Sequence, residues 1–484
     1  MRRMVVVFAA LLALSLTLLP GCSATQQNSQ PSRVEIDIPA VPNRDLDLLF
    51  VIDDSTSMRD KQLKLKAGFA KFVDVLSALD GGLPNVHIGV VTSDLGTKGT
   101  QDTVPGPTIA GRGGCAGEGK TGNLQTYGTP LVVGNFIRDT QNADGTRSKN
   151  YTGSLAEAFS AIATAGDSGC FIEQHLEAAK RALDGNAANA GFLRPNAYLA
   201  IVFVADEDDC SLAQSALLAS DAAALGPRNS FRCTRFGITC DDSGADSTAM
   251  AQPGPKRSCH ANNNSPYLTK IDDYVAFFKG LKPDDPNKVV VAGIMGTPEP
   301  FGVELRAPRL GDPEIPQLAH SCSYTNSLGQ TEVADPPVRI KQFLDSFSDR
   351  SVTRSICDPD LSDGLTQVGQ VLASALPAAC IDSALADIDP NTEGPQYDCE
   401  VVEIASLGDG MQSETPLPAC NNPNSSAEST NKPCWTIGTS AQRCTAKQHQ
   451  LLTIERTQDP TPDTRVVARC ATCTDADNDG ICDP

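Results

Sequence analysis

The sequence predicts an α/β fold in which helices cover both faces of a doubly wound, mostly parallel sheet. Short, continuous apolar runs are followed directly by polar residues, which is typical of strands buried on both faces. Between these runs, apolar residues recur at helical spacing. Strands and helices that alternate in this way form parallel sheets, because each connecting helix crosses back over the sheet.

The individual elements can be placed from these patterns. The predicted strands are runs rich in Val, Ile and Leu at residues 48–52, 86–91, 199–205 and 288–295. The predicted helices each carry one apolar stripe, formed by Phe69, Phe72, Val73 and Leu76; by Ile172, Leu176, Ala179 and Leu183; by Leu268, Ile271, Val275 and Phe278; and by Leu365, Val368, Leu372 and Ala375. We therefore expect one sheet within residues 44–379.

Seventeen cysteines indicate an exported protein that is crosslinked by disulfides. Those of the α/β segment lie mostly in excursions at about 95–150, 209–265 and 297–336, which we interpret as crosslinked loops. A second set begins at Cys380, in sequence that is poor in long apolar runs. We predict a small, cysteine-rich and β-rich module at residues 380–473, and the pairing of its cysteines stays open.

The N-terminus is typical of a bacterial lipoprotein. Residues 1–21 contain two arginines and an apolar run too short to span a membrane comfortably. The tetrapeptide LPGC at residues 19–22 resembles a lipobox, which implies cleavage before Cys22 and lipidation of its thiol. Residues 22–43 would then be a lipidated tether, and the protein would lie in the cell envelope, at the outer membrane or facing the periplasm. The alternative is an ordinary signal peptide whose Cys22 joins a disulfide.

The charge balance excludes one class of partner. The chain has 39 Lys and Arg against 59 Asp and Glu, which gives a net charge of −20. An acidic surface of this kind repels polyanions, so we expect no nucleic-acid partner. It favours cations instead.

Acidic and hydroxyl side chains follow two of the predicted strands. Asp53, Ser55 and Ser57 come directly after the first strand, and Asp206 follows the third. Because the carboxyl ends of parallel strands meet at one edge of a sheet, where such sheets bind ligands, we expect these side chains to lie close together. Carboxylate and hydroxyl oxygens are suitable ligands for Mg²⁺ or Mn²⁺. The sequence therefore predicts a divalent-cation site at this edge.

With its Asp-x-Ser-x-Ser motif after an apolar strand, the segment 44–379 resembles a von Willebrand factor A domain. The metal-ion-dependent adhesion site of that family begins with this motif. The resemblance implies that Asp53, Ser55, Ser57 and Asp206 hold Mg²⁺ or Mn²⁺, and that the ion takes its last ligand, commonly a carboxylate, from a partner protein. It further implies binding and not catalysis, and together with the lipobox at Cys22 it predicts a lipid-anchored binding or adhesion protein that is not an enzyme.

The resemblance is incomplete at one ligand. The family has a threonine just before its third helix, whereas Cys170 stands at that position here. Ser168 is the candidate replacement, and Cys170 is either free or part of a disulfide.

Other interpretations compete for the same crevice. A metal-dependent phosphatase of the haloacid dehalogenase type also places Asp after its first strand, but it needs a second acid where Ser55 stands. A glycosyltransferase would use residues 206–208 (DED) as its metal-binding triplet, which is common by chance in an acidic chain. In a purely structural alternative, Ser55 and Ser57 only cap the following helix and Asp53 accepts hydrogen bonds from backbone amides.

The tail at residues 474–484 holds a second cation motif. Asp475, Asp477 and Asp479 occupy positions 1, 3 and 5 of a calcium-type loop, with glycine at position 6, and the loop resembles those of thrombospondin type 3 repeats. A full EF-hand loop has a bidentate acid at position 12, so Asp483 would have to help complete the shell of Ca²⁺. A solvated acidic tail is the alternative.

Overall fold

The computed structural model describes residues 32–473. Within that range, short segments are left out at 41–42, 80–81, 112, 143–144, 309–310, 377, 388–390, 392–394, 409–410, 421–431, 442, 445, 457–459 and 461–463. The predicted signal peptide, Cys22 and the calcium-type loop of Asp475, Asp477, Asp479 and Asp483 lie outside the described residues, so these predictions stay open. No helix in the described part of the chain has the length and apolar character needed to span a membrane.

The strands of the described chain, in order, are β1 (Arg33–Pro39), β2 (Asp45–Ile52), β3 (Asn85–Thr92), β4 (Ile137–Gln141), β5 (Arg147–Lys149), β6 (Tyr198–Val204), β7 (Ile238–Thr239), β8 (Gly254–Pro255), β9 (His260–Ala261), β10 (Val289–Met295), β11 (Gly302–Arg306), β12 (Ile315–Leu318), β13 (Cys322–Thr325), β14 (Thr331–Ala334), β15 (Ser351–Ser355), β16 (Ala379–Ile381), β17 (Cys399–Gly408), β18 (Met411–Pro416), β19 (Cys434–Thr439), β20 (Gln450–Glu455) and β21 (Arg465–Ala471). The α-helices are α1 (Arg59–Ser77), α2 (Leu155–Ile162), α3 (His175–Leu183), α4 (Ala222–Leu225), α5 (Phe231–Gly237), α6 (Ser247–Met250), α7 (Ile271–Gly280), α8 (Val338–Asp345) and α9 (Ser362–Ala375).

A seven-stranded mixed sheet organises the first part of the chain, in the order β15-β10-β6-β2-β3-β4-β5. The strands from β15 to β3 are parallel, and β4 and β5 are added antiparallel at one edge. The four predicted strands correspond to β2, β3, β6 and β10, so the prediction of an α/β fold is confirmed. The antiparallel hairpin was not predicted, because β4 is short and only partly buried and β5 is largely exposed.

Apolar cores lie on both faces of this sheet. On one face, α1, α2 and α9 pack against β2, and the rings of Phe69 and Phe159 stack with their centroids 3.5 Å apart. Phe50 of β2 completes this aromatic cluster, 4.7 Å from Phe159. On the other face, α3, α7 and α8 cover Leu49 and Val51. Burial on both faces explains why β2 is a continuous apolar run.

The predicted loop excursions carry disulfides, as expected for crosslinked insertions. The bonds of this part of the chain are Cys115–Cys170, Cys210–Cys233, Cys240–Cys259 and Cys322–Cys357. Cys170, whose state the sequence left open, is therefore oxidised. Every cysteine in the described part of the chain is disulfide-bonded.

The second part of the chain is built from strands. One sheet has the order β1-β21-β17-β18 and another the order β16-β20-β19, and residues of both share an apolar core that includes Ile381, Val401, Leu452 and Val466. The disulfides here are Cys380–Cys444, Cys399–Cys470 and Cys420–Cys434.

Strand β1 lies where the sequence analysis expected a flexible tether. Its residues pair antiparallel with β21 over their whole length, from Arg33 opposite Ala471 to Pro39 opposite Arg465. The strand forms because Val34, Ile36 and Ile38 alternate and all three pack against the shared core. This period-2 pattern was not predicted as a strand, because the small, polar residues before it led to the whole segment being interpreted as a tether.

Candidate cation site at the edge of the sheet

The ends of β2 and β6 bring the predicted ligands together. The Asp53 amide donates to the carbonyl of Val204 at 2.9 Å, which continues the parallel pairing one residue beyond β2. Asp206 follows Val204 by two residues, and its carboxylate is near enough to Asp53 for the two negative charges to repel. The predicted proximity of these two acids is therefore present in the structure.

Asp53 is fully buried and incompletely paired. Its Oδ1 accepts hydrogen bonds from the Ser55 amide at 2.7 Å and the Ser93 hydroxyl at 3.4 Å. Its Oδ2 has no hydrogen-bond donor among the described residues, and His175 Nε2 lies 3.9 Å away from it. Burial and the repulsion from Asp206 raise the pKa of Asp53 well above its ordinary value. A cation beside Oδ2 would relieve both effects.

The two serine hydroxyls lie side by side. Ser55 Oγ and Ser57 Oγ are 3.1 Å apart, in the short turn that leads into α1. Neither hydroxyl caps the following helix, because the residues at both helix starts make no side-chain capping hydrogen bond. The capping part of the structural alternative is therefore wrong, whereas Asp53 does accept a backbone amide, that of Ser55.

A lysine that the sequence analysis missed lies next to Asp206. Lys61 Nζ is 2.9 Å from Asp206 Oδ2, with the two side chains only 1% and 2% exposed, and it also donates to the Ser57 carbonyl at 3.1 Å. Burial disfavours its charge, but the carboxylates of Asp206 and Glu332 outweigh this and raise the pKa of Lys61 above its ordinary value. Asp206 Oδ1 still has no donor among the described residues. Helical spacing places Lys61 one turn before the buried Leu65, but this spacing does not show that the side chain approaches Asp206.

Glu173 was also missed. It lies just before α3, is 1% exposed, and its Oε1 finds no donor in the described chain. Burial, followed by repulsion from Glu207 and Asp53, raises its pKa well above the ordinary value. Ser168, the candidate replacement for the family's threonine, is exposed, whereas Glu173 faces the buried acids. An acid directly before an apolar helical stripe was the only available signal.

Two further acids after β6 have structural partners. Asp208 accepts the amides of Arg339 at 2.9 Å and Ile340 at 3.1 Å, at the start of α8. Asp209 forms a buried ion pair with Arg339, at 3.1 Å, and accepts the amide of Leu176 at 2.9 Å. Because Asp208 serves the N-terminus of α8, the metal-binding triplet of the glycosyltransferase hypothesis would lack a free second carboxylate.

The oxygen atoms of the crevice fit a hard divalent cation. Asp53, Asp206 and Glu173 each have a carboxylate oxygen without a donor among the described residues, and Ser55 and Ser57 add two neighbouring hydroxyls. Among the described residues, one cluster of acidic and cysteine ligand atoms lies within 4.8 Å, and it contains the Cys420–Cys434 disulfide, which offers no thiolate. No three carboxylates of the crevice are that close, so the hydroxyls and water would have to complete the shell of a bound ion.

Comparison with known proteins gives only distant similarities. No protein-family model and no curated protein matches the chain. Similar solved structures include the pilus adhesin SpaC from Lactobacillus rhamnosus GG, with 10% identity and a TM-score of 0.30. They also include von Willebrand factor type A from Catenulispora acidiphila, with 12% and 0.26, and the conserved hypothetical protein BatB from Bacteroides thetaiotaomicron, with 10% and 0.26.

The matched regions differ in extent. They cover 92%, 92% and 68% of this chain, and 42%, 66% and 98% of SpaC, the Catenulispora protein and BatB, respectively. The chain thus spans less than half of the adhesin. Similarity at this level shows neither a shared family nor a shared function.

Proposed function

We propose that this chain is a binding protein of the cell envelope that holds Mg²⁺ or Mn²⁺ at Asp53, Ser55, Ser57 and Asp206 and uses this site to recognise a partner protein. One observation carries the proposal. Two buried carboxylates, each with an oxygen that lacks a donor among the described residues, lie at neighbouring strand ends beside a pair of hydroxyls 3.1 Å apart. Buried acceptors without donors are costly, and a cation satisfies them.

The residues of the site would supply two kinds of metal ligand. Asp53 and Asp206 supply negative charge, and the hydroxyls of Ser55 and Ser57 supply neutral oxygens. A bound ion would offer an open position to an oxygen of the partner, which is the chemistry implied by the von Willebrand factor A resemblance. Lys61 already neutralises part of the charge on Asp206, so the ion and the ammonium share the same acids.

Binding is favoured over catalysis by the neighbouring groups. His175 is fully buried, which lowers its pKa to about 4, so the ring is neutral at physiological pH. Ser55, at the position where a phosphatase would need its acid, faces another hydroxyl, and Asp208 is engaged with α8. These observations support a site that holds a ligand and does not transform it.

The metal proposal can be tested with two hydroxyl deletions. Ser55→Ala plus Ser57→Ala should weaken Mg²⁺ and Mn²⁺ binding at least about tenfold, because even the loss of an outer-shell partner of a metal costs that much. The fold should persist, since neither hydroxyl caps a helix. Calorimetric titration to millimolar metal would measure the affinity, with Asp475, Asp477 and Asp479 changed to Asn in every sample to silence the tail.

The matched control is Ser77→Ala plus Ser374→Ala, which removes two hydroxyls from exposed positions of α1 and α9. This control should bind metal like the parent protein. Equal metal binding by the parent and the Ser55/Ser57 variant would show that the hydroxyls are not ligands and would refute the proposed site.

Membrane attachment through Cys22 is the second part of the proposal. Stable anchoring needs more than one acyl chain, which a lipoprotein-type cysteine provides. We expect Cys22→Ser to move the protein from the membrane fraction to the soluble fraction, as measured by fractionation and immunoblotting. Ser29→Ala, in the same polar segment, should stay with the membrane. Retention of Cys22→Ser, with the signal peptide cleaved, would contradict the lipobox assignment.

A further inference from the structure

The crevice opens into a cavity of about 190 Å³. Its walls come from two insertions that follow β6 and β10, and its floor includes Ser57 and Asp206. We propose that this cavity binds the side chain of an arginine or lysine of a partner protein, with the cationic head among its acids and the aliphatic stem along its walls. The proposal goes beyond the cation site and does not depend on a bound metal.

Acidic side chains dominate the lining. Six carboxylates line the cavity: Glu173, Asp206, Glu207, Asp208, Asp209 and Asp335. Three of them have cationic or amide partners, since Asp206 pairs with Lys61, Asp208 accepts amides of α8, and Asp209 pairs with Arg339. Negative charge in the cavity is therefore concentrated on the other three.

Those three carboxylates, Glu173, Glu207 and Asp335, are near enough to oppose one another. Glu207 experiences repulsion from Asp335, and Glu173 from Glu207. Two of them have a side-chain partner: Glu207 bonds to the Ser230 side chain, and Asp335 Oδ1 is 2.6 Å from His320 Nδ1. Glu173 Oε1 has no donor in the described chain, although its side chain is almost completely buried and lines the cavity. A hydrogen-bond donor from a bound partner would satisfy this oxygen.

The basic groups around the cavity are already engaged. Arg306 donates to Glu304 at 2.8 Å and to the His320 ring, while Lys61 and Arg339 have the partners described above. Six carboxylates thus line the cavity, whereas the three cations near it already have acidic or amide-type partners of their own. A guanidinium or ammonium entering the cavity would be attracted to the acids that lack such partners and would favour their charged form.

The shape of the cavity favours a side chain over a second metal ion. Its volume exceeds the space of a single ion, and no three of its carboxylates lie within 4.8 Å of one another in the described residues. Phe231, Leu318 and Val333 contribute apolar wall. Apolar walls with an acidic end suit the long aliphatic stem and charged head of arginine or lysine. Lys61 of this chain already binds in this way, because its side chain is buried and its ammonium is 2.9 Å from Asp206 Oδ2.

The test uses small probes that differ only in charge. N-acetylarginine amide should bind the full-length chain in chelator, whereas N-acetylcitrulline amide, which has the same shape without the charge, should bind at least about tenfold more weakly. Glu173→Gln and Glu207→Gln should each weaken arginine binding about tenfold, because each removes a charge-assisted hydrogen bond. Calorimetric titration would give the affinities.

Matched variants separate this proposal from the metal proposal. Asp74→Asn, which removes one charge from an exposed position of α1, should leave arginine binding unchanged. Ser77→Ala plus Ser374→Ala should also retain it, and the chelator makes the result independent of metal binding. Asp335→Asn provides a third charge deletion if either glutamate variant fails to fold, as judged by its thermal unfolding. Equal binding of the arginine and citrulline probes would overturn the proposal, as would unchanged binding by the folded charge variants. Binding of N-acetylglutamate amide with Mg²⁺, in the absence of arginine binding, would assign a carboxylate partner instead.

Discussion

Lys61→Met should destabilise the metal-free protein by about 3–5 kcal/mol, because removing one partner of a buried ion pair leaves an uncompensated charge. Methionine retains an unbranched apolar stem in the core but removes the ammonium 2.9 Å from Asp206 Oδ2. Both side chains are almost completely buried, so water cannot replace the lost partner. Urea unfolding in the presence of chelator would measure the change in the free energy of unfolding.

The response of this variant to metal links its stability to the proposed function. Mg²⁺ should stabilise Lys61→Met more than the parent protein, because the ion no longer shares Asp206 with an ammonium. Lys71→Met, at an exposed position of the same helix, should change neither the stability nor the metal response appreciably. If Mg²⁺ stabilised the Lys61 variant and the parent equally, the ammonium and the metal would not compete for the same acids.

Arg339→Met should destabilise the protein by a similar amount, about 3–5 kcal/mol. The guanidinium is buried, contacts Asp209 Oδ2 through Nε at 3.2 Å and Nη2 at 3.1 Å, and donates to the Thr269 carbonyl at 2.8 Å. Without it, the buried Asp209 carboxylate loses its countercharge, and the backbone amides that bond to Asp208 are left to connect α8 to the loop after β6. Thermal and urea unfolding would measure the loss.

The control for this variant is Arg257→Met. Arg257 also pairs with an aspartate, Asp242, at 2.9 Å, but its side chain is 80% exposed. Exposed pairs contribute little, because water and salt screen them. A loss of stability in Arg257→Met comparable to that in Arg339→Met would contradict the explanation from burial.

The strands that could be predicted from the sequence share one property, which is burial on both faces of the sheet. β2, β6 and β10 are buried on both faces, so almost every position is apolar and the run stands out without knowledge of its neighbours. The edge strand β15, with the sequence SVTRS, is only half-buried. Its place in the sheet is decided by pairing with β10, which no local pattern contains.

The residues of the cation site likewise include some that could be predicted from the sequence and some that could not. Asp53 and Asp206 could be located because they follow buried strands, and strand ends in a parallel sheet converge. Glu173 and Lys61 could not, since helical spacing alone does not say which loop or helix approaches the strand ends. The binding of a metal by these residues stays a prediction.

The pairing of β1 with β21 has a consequence for the order of folding. Val34 lies opposite Cys470, so β1 cannot form these hydrogen bonds until β21 has been synthesised. Until then, Val34, Ile36 and Ile38 lack the core that later covers them. The strands of the α/β sheet all precede α9, so this sheet can form earlier, whereas β1 stays open to wrong pairings until β21 is available.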